Sequence, residues 1–143
     1  MKLLVSACLM GCCCRYDQKS APDETVLALG KVHQLIPVCP EQLGGLATPR
    51  VPAEIKGDRV ITKEGVDVTE NYIRGAEQTL LIAKQLGCHA AVLKDRSPSC
   101  GCGEIYDGSF SGTKIIGNGI TARLLIKNGI AVIKASEAST LML

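Results

Sequence analysis

Aromatic side chains are nearly missing from this chain: they make up 3% of it, with no tryptophan and a single phenylalanine. A nucleic-acid surface built on base-stacking platforms needs them, so that class of binder is disfavoured. An excess of one charge is lacking too. The formal net charge is +2, which leaves no basic footprint for a polyanion. No apolar run approaches the roughly 20 residues that span a bilayer. The N-terminal MKLLVSACLMG resembles a secretion signal only briefly, because no small-residue cleavage site follows and Cys12, Cys13, Cys14 and Arg15 interrupt it. It reads better as a buried first strand, in a soluble, cytoplasmic protein without membrane contact. There is no internal repeat, no P-loop and no dinucleotide-binding fingerprint. Histidine occurs only twice, as His33 and His89, and no C-x-x-C knuckle is present.

Cysteine is abundant. Eight thiols in 143 residues of a reducing-compartment protein point to metal binding or catalysis rather than disulfides. A chain of this length buries roughly two-thirds of its unfolded surface and needs no covalent staples. It is read as a single domain, residues 1–143.

The apolar pattern predicts alternating strands and helices. Residues 2–7 are a buried strand, and 22–35 a helix with Ser20 or Asp23 at its start. Residues 35–39 are a second strand, followed by a polar loop to about Asp58. RVITKEGVDV predicts a small hairpin turning at Lys63-Glu64-Gly65. Asp67 and Glu70 read as a capping box opening a long helix with Ile73, Ala76, Leu80 and Ala83 on its apolar face, stopped by Gly87. Strand 89–94, helix 118–128 and strand 130–135 complete the order. Such alternation predicts a doubly wound, Rossmann-like α/β domain of about four parallel strands with helices on both faces and a hairpin insertion.

In parallel sheets ligands bind beyond the carboxyl ends of the strands. Cys8 follows the first strand, Cys39 ends the second and Cys100 lies in the loop after the third, so three distant segments bring a thiol to one edge. Cys14 reaches that edge as well. Cys88, at a helix end, reads as a buried structural thiol, and Cys12, Cys13 and Cys102 as loop thiols. Dispersed thiolates suit an iron–sulfur cluster, with zinc as the alternative ion. Glu41 stands two residues past Cys39, and Ser97 and Ser99 flank Pro98 beside Cys100. A positioned carboxylate can act as general base. The plainer alternatives are a solvated loop charge and two turn residues. The glycines at 117 and 119 offer free helix N–H groups as a weak anion site.

The motifs VSACLMG-x-x-CRYD, PVCPEQLGGLATPR-x-PAE, GVDVTE and LKDRSPSCG-x-GEIYDGSFSG, in that order, resemble the thiouracil desulfidases, a bacterial family long catalogued as a domain of unknown function. The resemblance runs from Val5 to the last strand. It implies a 4Fe–4S cluster on three cysteines, Cys8, Cys39 and Cys100 (with Cys14 as the alternative), whose open iron takes substrate sulfur. It also implies catalytic roles for Glu41 and Ser97, with Ser99 and Arg15 placed for substrate binding. The implied reaction is non-redox desulfuration of a small thiopyrimidine such as 4-thiouracil, or of 4-thiouridine, free or in tRNA, to the oxo form and hydrosulfide. A zinc-binding regulatory domain and a sulfur or electron carrier are the readings from other classes.

Overall fold

The computed structural model describes residues 1–142. Four parallel strands form the central sheet: β1 (Lys2–Ser6), β2 (Gln34–Val38), β5 (Ala90–Leu93) and β8 (Ala131–Lys134), in the order β2-β1-β5-β8. Leu3, Leu4, Val5, Ala91 and Val92 are wholly or almost wholly buried, as two-sided burial demands of inner strands. Pro37, which lacks an N–H, sits on edge strand β2 where a ladder donor is dispensable.

The pleat sends alternate side chains to two apolar layers. Leu3, Val5, Ala90 and Val92 pack with Val26 of helix α1 (Glu24–Ala28) and Ala138 of the C-terminal 3₁₀ turn. Leu4, Ala91 and Leu93 pack on the other face, with Ala83 of α3 (Thr69–Leu86) and Ala122 and Leu125 of α4 (Ile120–Lys127). The doubly wound expectation therefore holds.

Several local expectations change. Helix 22–35 shrinks to α1, capped by Asp23 accepting from the Val26 N–H at 3.1 Å. A 3₁₀ turn over Leu29–Lys31 follows, and Leu35 belongs to β2. The buried face of α3 is Tyr72, Gly75, Ala76, Thr79 and Ala83, while Ile73 faces out. Asp67 takes the Thr69 N–H at 2.9 Å, without a reciprocal bond from Glu70 among the described residues. The expected reversal at Lys63-Glu64-Gly65 is present, with Ile61 bridged antiparallel to Asp67 and the Thr62 and Val68 N–H groups donating to the Val66 and Val60 carbonyls at 2.8 and 2.9 Å. An unexpected hairpin precedes it, β3 (Ala53–Lys56) and β4 (Arg59–Thr62) around Gly57, whose φ of 65° suits a tight turn. A second hairpin, β6 (Glu104–Tyr106) with β7 (Lys114–Ile116), stands where a loop was expected.

The one-turn helix α2 (Pro40–Leu43) lies backbone to backbone on α3. A Cβ at Gly44 would overlap the Asn71 carbonyl, and one at Gly75 the Pro40 carbonyl. Alanine at position 75 would gain about 1 kcal/mol of helix propensity. The overlap outweighs that gain, because neither backbone can yield. Gly75→Ala is expected to cost about 1–3 kcal/mol net in urea unfolding.

Candidate functional site

The chain leaves β1 towards β2 and leaves β5 towards β8, so the switch point of the sheet lies between β1 and β5. The Lys94 N–H donates to Ser6 Oγ at 2.9 Å and ties the two strand ends together there. Beyond them opens a cavity of about 450 Å³, within the roughly 300–1,000 Å³ of small-molecule sites. Cys8, Cys14, Cys39 and Cys100 all line it, as do Glu41, Ser97, Ser99 and Arg15. Cys12, Cys13, Cys88 and Cys102 do not. Cys88 is buried in the α3–α4 layer, in keeping with a structural thiol. His33 joins the chain ends instead, with Nδ1 on the Met1 amine at 3.1 Å and Nε2 on the Leu141 carbonyl at 2.7 Å.

All eight cysteines are free thiols. Burial pushes Cys14 up to about 12, reinforced by Cys39 and Cys8. Burial does the same to Cys100, also to about 12, against hydrogen bonds from Ser6 and Ser99. Cys8 is raised by burial too, with Lys94 the main opposing charge. Cys14, Cys39 and Cys8 lie near enough to one another that their charges couple. Among the described residues no three His, Cys, Asp or Glu side chains are arranged to hold a metal ion.

Glu41 is held from two sides. Arg50 Nε donates to its Oε1 at 2.9 Å, and the pair is largely buried, with side-chain exposures of 9% and 14%. The Ser99 hydroxyl donates to Oε2 at 3.0 Å, while Ser97 Oγ lies at 3.5 Å. Hydrogen-bond counting orders these hydroxyls. Ser97 Oγ accepts from the Ser99 and Cys100 N–H groups, both at 3.1 Å, which occupies its two lone pairs. Its own proton therefore goes to Ser99 Oγ at 2.9 Å, and that of Ser99 to Glu41. Ser99 Oγ is also 3.6 Å from Cys100 Sγ, so it stands between carboxylate and thiol. Tyr72, almost fully buried, lies against Glu41; burial first and that carboxylate second raise its pKa, so it stays a donor.

Ser97–Cys100 is fixed by α4. The carbonyls of Pro98 and Ser99 accept the N–H groups of Ile120, Thr121 and Ala122 at 2.8–3.1 Å. Gly119 lets the loop come close, since a Cβ there would lie 2.5 Å from the Ser99 carbonyl. These bonds remove the anion site expected at residues 117–119: the N–H groups of the first helical turn already have partners.

Arg50, to which the sequence assigns no role, spans three segments. Besides Glu41 it donates to the Cys14 carbonyl at 2.9 Å, the Ala47 carbonyl at 3.3 Å and Thr48 Oγ1 at 2.9 Å. A loop arginine carries no periodicity, and only its spacing from Glu41 in one motif could have marked it. Arg15 is half-exposed and pairs with Asp17 at 3.4 Å. Removing one member of a buried pair strands the other. Arg50→Leu is thus expected to destabilise the protein by about 3 kcal/mol in urea unfolding, whereas Arg50→Lys, which keeps the charge but loses the fork, costs less.

The model of the 2-thiouracil desulfurase family matches residues 3–137. The uncharacterized protein YbbK of Bacillus subtilis (strain 168) is 44% identical, over 98% of this chain and 99% of its own length. A solved structure of the 4Fe-4S-dependent thiouracil desulfidase TudS superposes with a TM-score of 0.92 at 44% identity, covering 98% of this chain and 94% of that one. Sequence motifs, fold and length agree, and the chain belongs to the 2-thiouracil desulfurase family.

Proposed function

We propose that the protein removes sulfur from a thiolated pyrimidine without net electron transfer, using a 4Fe–4S cluster held at the cavity by Cys8, Cys39 and Cys100. The observation that carries this reading is a single cavity lined by these thiols and by a carboxylate with ordered donors on both oxygens. The donor set fits such a group. It is made of thiols with no histidine among them, and Lys94 and Arg15 offset thiolate charge at Cys8. The TudS relative is named for the same cofactor.

When bound, the cluster supplies an open iron as Lewis acid to the thiocarbonyl sulfur. Glu41 accepts the proton of the water that attacks the ring carbon, and Arg50 fixes the orientation of the carboxylate. Ser99, between Glu41 and the Cys100 sulfur, passes a proton towards the departing sulfur. Ser97 orients Ser99, and Arg15 at the cavity wall contacts the substrate. Thiocarbonyl and water become carbonyl and hydrosulfide, so no reductant is needed. A 450 Å³ site suits a free base or nucleoside, with tRNA 4-thiouridine as the larger alternative. No helix of the described chain is long and apolar enough to cross a membrane. Eight free thiols suit the reducing cytoplasm.

Anaerobic reconstitution tests the ligand set. Cys8→Ser, Cys39→Ser and Cys100→Ser are each expected to lose iron and the visible absorbance, and Cys14→Ser to keep both. Retention of iron by Cys39→Ser sinks this assignment. Glu41→Gln is expected to keep its iron and lose about 10²–10⁴ in kcat for sulfide release from 4-thiouracil. Turnover close to wild type would remove Glu41 from the mechanism. Parallel assays with 4-thiouridine and thiolated tRNA separate the substrate classes.

A further inference from the structure

The chain contains four aromatic residues, Tyr16, Tyr72, Tyr106 and Phe110, and all four line the cavity, although fewer than one residue in five does so. Tyr72 is accounted for by the core and by Glu41. The other three belong to none of the apolar clusters of the described residues, so they are not core filling. Phe110 is the most constrained. Its φ is 57°, a left-handed backbone that bulky side chains rarely adopt. Such strain persists only where neighbours enforce it, and it gathers at ligand clamps. The enforcing contact is Glu54, whose Oε1 accepts both the Gly108 and the Phe110 N–H at 3.1 Å. Gly108, at φ 94°, lies so close to the other hairpin that a Cβ would meet Ile55 O and Lys56 Cβ at 2.9 Å. The loop joining β6 to β7 is thereby pinned on β3, and it keeps the only phenylalanine half-buried at the cavity wall.

We propose that Phe110, in the cavity that Tyr16 and Tyr106 also line, is the stacking surface that selects a flat heteroaromatic ring. Glu41 and the thiols act on a C–S bond that any thioamide has; the aromatic wall distinguishes a pyrimidine from an acyclic or puckered analogue. A π-face stacks on aromatic carbon without needing hydrogen-bond readout. The proposal takes the identity of the ring from the thiopyrimidine reading, but not its chemistry.

The test measures binding of uracil and of 5,6-dihydrouracil, which has the same polar edge but a puckered, non-aromatic ring, to iron-loaded protein by calorimetry or NMR. Phe110→Gly is the informative variant, because glycine is at home at this φ and the loop is kept. Wild type is expected to prefer uracil. Phe110→Gly is expected to weaken uracil binding by about 5- to 150-fold, the range for one stacked base, and to leave dihydrouracil nearly unaffected. Phe110→Trp restores the preference, and Phe110→Leu does not. With 4-thiouracil the change falls on KM rather than kcat. Equal affinity of wild type for the two ligands, or parallel loss of both in Phe110→Gly, overturns the proposal. If uracil binding depends on Phe110 but no thiopyrimidine releases sulfide, stacking stands and the desulfuration reading falls. If sulfide is released and Phe110→Gly binds uracil like wild type, the reverse holds.

Discussion

A carboxylate cannot stay charged in a half-apolar wall unless donors replace the water it has lost, and Glu41 has them on both oxygens. Arg50 supplies one side and Ser99 the other. The same guanidinium takes the Cys14 carbonyl, so a single buried cation fixes both the carboxylate and the loop that carries a cavity thiol. The arrangement depends on α2 being immobile. Glycines 44 and 75 let its backbone touch that of α3, which ties the carboxylate to the longest helix of the fold.

The remaining parts divide the work by position in the chain. Strand ends set the thiols at the switch point, where the pleat already leaves a crevice. Helix α4 holds the Ser97–Cys100 loop through its first N–H groups, converting a helix terminus that would otherwise seek water into a clamp. The hairpins contribute little to the central sheet. Their part is the rim, where Glu54 fixes the loop that carries Phe110.

How much of this was legible follows from the range of each signal. Leu3–Val5 and Ala90–Leu93 declared themselves as short buried runs, and the order of elements sufficed for the sheet. The line of Cys8, Cys39 and Cys100 along one edge was visible as well. Helix 22–35 was overextended because Val32 and Leu35 keep helical spacing, although Gly30 intervenes and Leu35 pairs with Leu3 in the sheet. Strands of three residues such as Lys114–Ile116, exposed throughout, have no burial pattern to read. Arg50 and the capping of α4 by Pro98 and Ser99 are tertiary contacts between loops. Nothing local encodes them.

Ser97 is an obligate donor, since both its lone pairs are committed to loop amides, and this gives the hydroxyl row a fixed polarity. The row points at Glu41, and the other acceptor within reach of the Ser99 hydroxyl is the Cys100 sulfur. A single hydroxyl thus joins the carboxylate to a cavity thiol, so a change at either end is felt at the other through one shared hydrogen.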